Sequence, residues 1–322
     1  MILRKPDFYD SFKCIASRCT DTCCVGWEID IDEASQEAYR KVAGAFGDKL
    51  RENIEDGHFK LRPHDRCPFL DKKNLCEIYA HLGEGALCGI CREHPRFVEV
   101  YGDIMEKGLG LCCEEAARLL LAGKGPLVFT SEECDEPEDK LDDDDREIRD
   151  QVLYEREQIL ETLADTSMPF EERLHQAFGY TGEQPLAPLK NVGALVGQLA
   201  RLESYGPAWD EALARIKERV DAAGAENATT LEDEGYFSET ESARLLAYLV
   251  YRHYAKCLME GREQGKLMFA LFFWNLARFF THELAGNATD AQTIKINAVK
   301  MLSKQLEYSE EIMELVEISL DD

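Results

Sequence analysis

The chain has 322 residues, a length that accommodates roughly two domains of about 150 residues each, and its 45% hydrophobic content supplies a sizeable core. Acidic residues number 63 against 37 basic ones, for a formal charge of −26. That balance argues against non-specific nucleic-acid binding, which needs a basic face to displace counterions, and against docking on an anionic membrane surface.

The opening residues, MILRKPDFYDSF, hold neither an apolar run nor a small-residue cleavage site, so no secretory leader is expected. The most apolar stretch, Leu267 to Phe280, is 14 residues long and carries Asn275 and Arg278. It is too short and too polar to span a bilayer. The expectation is a cytoplasmic protein with no membrane or nucleic-acid partner.

The predicted fold is mainly α, in three parts. Residues 1–125 form a cysteine-rich metal-binding N-terminal domain with little β, residues 126–147 an acidic linker, and residues 148–322 an all-helical C-terminal domain. In the first part, Phe97 to Tyr101 and Ile104 to Lys107, joined at Gly102-Asp103, predict a short hairpin. The run CCEEAARLLLAG then predicts a helix ending near Gly123. The first 125 residues carry a net charge of −4 and the remainder −22. The stretch SEECDEPEDKLDDDDREIRD (131–150) alone has 12 acids against 3 bases and includes Pro137, the composition of a solvated linker.

Beyond it, apolar residues recur at helical spacing from Ile148 to Leu163. PFEERLHQAFGY predicts a helix with Pro169 in its first turn and Gly179 near its end. NVGALVGQLARLE and AWDEALARIKERVDAAG predict two more. Ser238-Glu-Thr-Glu241 is a capping-box pattern ahead of SARLLAYLVYRHYAKCLME, and Thr289-Asp-Ala-Gln292 another ahead of TIKINAVKMLSKQL. The Phe-rich LMFALFFWNLARFF is the expected centre of helix packing.

Twelve cysteines are the informative excess, and ten of them lie between Cys14 and Cys113. In the cytoplasmic chain expected here, this density points to metal or redox chemistry rather than disulfides. Cys14-x4-Cys19-x3-Cys23-Cys24 leads into Gly26-Trp27. Cys67, Cys76, Cys88-x2-Cys91 and Cys112-Cys113 follow, the eight residues between Cys67 and Cys76 suiting a turn that brings the chain back to one centre. Thiolates are soft ligands that suit zinc or iron–sulfur clusters. Cys134 reads as a free thiol and Cys257 as a core residue. The radical motif C-x3-C-x2-C is absent, because Gly26 stands at its third position.

His58, His64, His81 and His94 share the cysteine-rich half, and His94, three residues after Cys91, is the strongest back-up ligand. Arg92 and Arg96 either offset thiolate charge or form an ordinary surface pair. Tyr248, Tyr251, Tyr254 and Trp274 recur at helical spacing, which usually means core; lining a substrate site is the alternative. There is no Gly-x-Gly-x-x-Gly, and Gly108-Leu-Gly110 is too weak a match to place a cofactor. Catalytic and cofactor-binding residues are not legible.

The sequence resembles the flagellin lysine N-methylase family (FliB-type proteins), related to a wider group of small cysteine-rich zinc- or iron-chelating proteins. The matching residues are Phe12-x-Cys14 with Cys19, Cys23 and Cys24; Gly26-Trp27; Cys67-Pro-Phe-Leu70; Leu75-Cys76-x-Ile78; Cys91-x3-Pro95-Arg96; and Cys113-x-Glu115-Ala-Ala-Arg-Leu119. Eight cysteines fit the pattern and are the expected metal ligands: Cys14, Cys19, Cys23, Cys24, Cys67, Cys76, Cys91 and Cys113. Cys88 and Cys112 are extra, and Glu114 stands where the pattern has proline. The resemblance covers roughly residues 1–122, with only general organisation shared beyond.

The resemblance implies an iron–sulfur cluster of the 4Fe–4S type, with zinc as the alternative, and methyl transfer from S-adenosyl-L-methionine to lysines of flagellin. The enzyme would then be a protein-lysine N-methyltransferase with flagellin as its protein partner. A non-enzymatic iron–sulfur or zinc-binding protein, serving electron transfer or as an interaction scaffold, is the other reading. Eight thiols exceed the four that one cluster needs, so the ligand subset stays open. Amine methylation is a polar displacement and requires no radical. The metal centre therefore reads as a structural staple more readily than as the reacting group.

Overall fold

The computed structural model describes residues 1–63, 65–178, 192–202, 204, 206–223, 236–285 and 290–321. Among them the strands are β1 (Ile2–Pro6), β2 (Ile54–Glu55), β3 (His58–Phe59), β4 (Arg96–Tyr101), β5 (Ile104–Leu109) and β6 (Phe129–Glu133). Short helices α1 (Glu33–Lys41), α2 (Gly44–Glu52), α3 (Glu77–Leu82), α4 (Gly89–Glu93) and α5 (Glu114–Leu121) come first. Nine more follow: α6 (Asp143–Ala164), α7 (Phe170–Ala177), α8 (Val192–Leu199), α9 (Pro207–Ala223), α10 (Glu239–His253), α11 (Cys257–Glu260), α12 (Glu263–Leu284), α13 (Ala291–Leu306) and α14 (Glu310–Asp321). The chain is mainly α, and no described helix is long and apolar enough to cross a membrane.

The chain folds as two compact units. The larger comprises Met1–Phe12, Val98–Cys112 and Ala116–Asp322, and the smaller comprises Lys13–Phe97 and Cys113–Glu115. These boundaries differ from a division at residue 125. The reason is strand pairing. β1 lies parallel to β5, with Ile2 opposite Ile104 and Arg4 opposite Glu106, and antiparallel to β6, with Ile2 opposite Glu133 and Pro6 opposite Phe129. The resulting sheet, in the order β4-β5-β1-β6, draws the first residues into the same unit as the C-terminal helices, so those helices are not a domain by themselves. The expected hairpin is β4–β5, and Gly102 supplies the positive φ of +71° at its turn.

The acidic segment is not simply a linker. β6 occupies its start, and Asp142 caps α6, its side chain accepting from the Asp145 N–H at 2.9 Å. Asp143, Asp144 and Asp145 then lie in the first turn, where carboxylates face the positive end of the helix dipole. The acid run is in part a helix-start signal. Ser238 and Glu241 form the expected capping box at α10. At α13 the cap is Asp290, accepting from the Thr293 N–H at 2.9 Å, while Thr289 lies outside the described residues, as does Gly179. Pro169 sits at the N-cap of α7 rather than in its first turn. The helix expected through Glu260 breaks after His253 into a 3-10 turn and α11.

The Phe-rich run lies in α12, which packs against α9, α10, α13 and α14 and is buried over most of its length. A helix apolar on every face belongs at the centre of a bundle. Sheet and helices are joined by buried polar groups. Arg156 of α6 and Glu106 of β5, both almost fully buried, form a two-pronged ion pair, and Arg156 also donates to the Tyr251 carbonyl at 3.2 Å. Tyr251 donates to the carbonyls of Arg4 and Lys107, each at 3.1 Å, and Tyr248 to that of Leu109 at 2.7 Å.

Two predictions concern this unit. Removing one partner of a buried ion pair strands the other, so Arg156→Ala is expected to cost about 3–5 kcal/mol. An Arg156→Met, Glu106→Leu double variant should recover most of it, with denaturant midpoints as the readout. The second concerns acid. Burial holds the His253 imidazole at about 4, against 6.5 when unfolded. Its Nε2 lies 2.7 Å from Glu307, which burial would raise but Arg252 and His253 hold at about 2. Both folded values lie below the unfolded ones, so the unfolded chain takes up protons first and stability falls as pH falls. His253 accounts for the window from 6.5 to 4, worth about 3 kcal/mol. His253→Gln should flatten that slope in pH-dependent unfolding, leaving the Glu307 contribution below pH 4.5.

Candidate metal centre

The smaller unit has a small core: Ile29, Ile31, Tyr39, Leu50, Phe59, Phe69, Leu70 and Ile78, with the Cys67 and Cys88 side chains among them. Cys24, Cys76 and Cys91 pack against it, partly buried. Few apolar residues are available, and the thiols fill positions that a larger domain gives to aliphatic side chains.

Backbone hydrogen bonds bring distant segments together there. The Cys67 N–H donates to the Cys24 carbonyl at 2.9 Å, joining the first cysteine cluster to the second. From Cys67 the chain turns back as the eight-residue spacing anticipates. Asp71 accepts from the N–H groups of Lys73 and Leu75 at 2.7 and 2.8 Å, Asn74 adopts φ +59°, and Leu70 bridges to Cys76. Cys76 precedes α3, Cys88 precedes α4, and Cys91 follows one turn later. Asp32, the cap of α1, accepts from Ser35 and also from the Gly89 N–H, both at 2.8 Å, fixing the residue after Cys88. These donated bonds hold the Asp32 carboxyl down at about 2.

Burial and neighbouring thiols shift the cysteines of this core. The adjacent Cys91 thiol lowers Cys88, while Cys88, burial, Cys24 and Cys67 raise Cys91. Burial pushes Cys67 up to about 11 and raises Cys76, with Cys88 adding to both and Cys23 to Cys76. Arg62 works the other way on Cys67.

Of the eight expected ligands, Cys67 lies in this core and Cys24, Cys76 and Cys91 pack against it. Cys19 lies elsewhere in the unit: its Sγ contacts Glu114 Oε2 at 3.7 Å, and the same oxygen accepts from the Thr20 N–H at 2.9 Å. Cys113 immediately precedes that glutamate, and Cys14 is exposed. The departure from proline at position 114 has a use, because a carboxylate accepts bonds that a proline side chain has no means of accepting. Among the described residues no cysteine is in a disulfide, and no three or more His, Cys, Asp or Glu side chains are arranged as ligands around one point. Sequence spacing brings thiols near one another; it does not set ligand distances.

Cys88 is the residue that the sequence pattern passes over. It is almost fully buried in the same small core as Cys67, and its C-x2-C spacing to Cys91 is the available signal. Cys112 belongs to the larger unit, where it is hydrogen-bonded to Tyr308. Cys257 is buried as expected, and Cys134 is partly buried on the strand-pairing edge, its carbonyl accepting from the N-terminus at 3.1 Å.

The histidines have other contacts. His94 packs against the Trp27 ring, His81 against Phe46, and His58 pairs with Asp30 at 2.6 Å, while His64 lies outside the described residues. Arg92 faces Glu93 at 3.5 Å. Tyr248, Tyr251, Tyr254 and Trp274 are all buried; the tyrosine hydroxyls are bonded to the sheet backbone or, for Tyr254, to Glu155 at 3.2 Å. They are core rather than the lining of a substrate site.

A stretch of 127 residues is 32% identical to the lysine-N-methylases of Salmonella typhimurium and Salmonella choleraesuis, taking in 36% of this chain and 32% of each of those proteins. This chain is similar to the lysine-N-methylases. It spans about a third of their length. Over 130 residues the chain is also 28% identical to the flagellar biosynthetic protein FliU of Salmonella muenchen, taking in 36% of this chain and 75% of that protein. No family model matches, and no solved structure matches.

The Asp32–Gly89 bond makes the approach to Cys88 testable. Asp32→Ala should raise the exchange rate of the Gly89 amide severalfold in hydrogen-exchange NMR, while the amides within α2 keep theirs.

Proposed function

We propose that this protein is an S-adenosyl-L-methionine-dependent protein-lysine N-methyltransferase acting on flagellin in the cytoplasm. The observation that carries this reading is the 32% identity to proteins named lysine-N-methylase. We further propose that thiolates of the smaller unit hold an iron–sulfur cluster of the 4Fe–4S type. The supply of soft donors supports this: nine cysteines fall within that unit, and five of them line or enter a single core. Soft sulfur donors match iron–sulfur and zinc centres. Bound there, the cluster would act as a staple for a unit whose apolar core is small.

The chemistry asks little of a metal. A lysine amine is a good nucleophile once neutral, and its ordinary pKa of about 10.4 means that the protein must favour the neutral form by desolvation or a nearby base. It must also hold the amine in line with the methyl carbon of the donor. The formal charge of −26 suits a partner that presents lysines.

A second reading has support from the extent of the likeness. Similarity to the methylases takes in only about a third of this chain, as would a cysteine module shared with a non-enzymatic iron–sulfur or zinc protein. One experiment separates the two. Anaerobically purified protein is analysed for iron, sulfide and zinc, then incubated with flagellin subunits and S-adenosyl-L-methionine and read by peptide mass spectrometry. About four iron and four sulfide per chain with methylated lysines is the expected result. Metal without methyl transfer favours the second reading, and zinc without sulfide removes the cluster. Cys67→Ser and Cys91→Ser should each reduce bound iron by about tenfold or more, to near background.

A further inference from the structure

We propose that β6, the open edge of the sheet, takes an extended, lysine-bearing segment of the protein substrate as an added strand. The identity of the partner rests on the methyltransferase reading above; the place where it docks rests on the sheet alone.

The backbone sets the place. β6 stands last in the sheet order and pairs on one side only, with β1. Met1 and Cys134 exchange both backbone bonds, at 3.0 and 3.1 Å, and the Asp7 N–H donates to the Val128 carbonyl at 2.8 Å. In an antiparallel ladder such bonded pairs alternate with unbonded ones. Thr130 and Glu132 therefore turn their N–H and C=O groups toward β1, while Phe129, Ser131 and Glu133 turn theirs away from it. Those outward groups have no hydrogen-bond partner among the described residues. Thr130 to Glu133 are all exposed. A row of unpaired donors and acceptors at ladder spacing is a template for a further strand. The opposite edge differs at its turn, where Arg149 donates to the Tyr101 carbonyl at 2.5 Å and the Asp139 N–H to that of Gly102 at 3.0 Å.

Side chains set the partner. Alternation places Thr130 and Glu132 on one face of the sheet and Ser131 and Glu133 on the other. Lys5 meets Glu132 at 2.9 Å across the ladder, whereas Glu133 has no ion-pair partner among the described residues. Each face of the edge thus presents a carboxylate to a strand laid alongside. Opposite charges on neighbouring strands stabilise the pairing, and like charges oppose it. A second copy of this chain would bring the same acids together, so self-pairing is disfavoured and a strand carrying lysines is complementary. Val128, exposed just before β6, offers that strand an apolar contact as well.

The test follows amide hydrogen exchange in the full-length protein with two probes: flagellin subunits, and a synthetic peptide alternating lysine and valine. Either probe should slow exchange at Phe129, Ser131 and Glu133 by about tenfold or more, and leave Thr130 and Glu132, already in the ladder, as they were. Added salt should weaken the effect. Ser131→Pro removes one outward donor without touching a bond to β1, and should weaken binding by about tenfold. Continued protection of Thr130 and Glu132 shows that this variant keeps its sheet. Should it lose the sheet, Glu133→Lys leaves the backbone intact and is expected to weaken both probes severalfold, while a glutamate–valine peptide gains affinity.

Three results would overturn the assignment: flagellin bound or methylated with the outward amides exchanging as in the free protein, equal protection by the lysine and glutamate peptides, or no protection by either probe. Slowing that grows with protein concentration alone would also do so, since it means self-pairing. Protection by the lysine peptide beside flagellin that is neither bound nor methylated would sink the flagellin reading and leave the docking edge standing for another lysine-bearing protein.

Discussion

Everything specific to the smaller unit depends on how few apolar side chains it can bury. Eight hydrophobic residues form its centre, and sulfur takes the places where further aliphatic groups would otherwise pack. A thiol fits such a place as a small hydrophobe, yet burial makes its ionisation costly, as the elevated Cys67 and Cys76 show. A bound cation reverses that cost, because it prefers the thiolate and turns mutual repulsion among sulfurs into shared attraction. Core packing and the proposed metal affinity would then be two aspects of one arrangement, the staple acting where hydrophobic burial runs short.

The larger unit meets the opposite problem. It has ample apolar surface, with α10 and α12 buried on nearly all sides, but it must join those helices to a sheet whose backbone groups need partners. Tyrosine hydroxyls supply them, and one buried arginine pairs with a side chain of the sheet. Tyr248 and Tyr251 reach the carbonyls of β1 and β5, and Arg156 satisfies both Glu106 and a helix carbonyl. This explains why aromatics at helical spacing are core here. The tyrosine hydroxyls are consumed by the architecture.

Functional inference follows the same division. The proposed activity comes through similarity over about a third of the chain, and the motifs that carry the family resemblance lie between Phe12 and Leu119. The bundle that makes up most of the larger unit contributes no comparable motif.

Several features were readable from the sequence because they are local. The hairpin at Gly102, the capping box at Ser238 and the turn between Cys67 and Cys76 each depend on residues a few positions apart. Helical content was legible from apolar spacing, and α12 from its uniform apolarity. Non-local pairing was not. That β1 sits between β5 and β6, that the start of the acidic run pairs as a strand, and that Cys88 is buried in one core with Cys67 follow from contacts across tens to more than a hundred residues. The sequence by itself determined which chemistry is available: soft sulfur donors, an acidic surface, a helical majority. Only the tertiary structure decided which thiols meet, because spacing along a chain constrains a local turn, whereas the gathering of separate turns depends on the core they jointly bury.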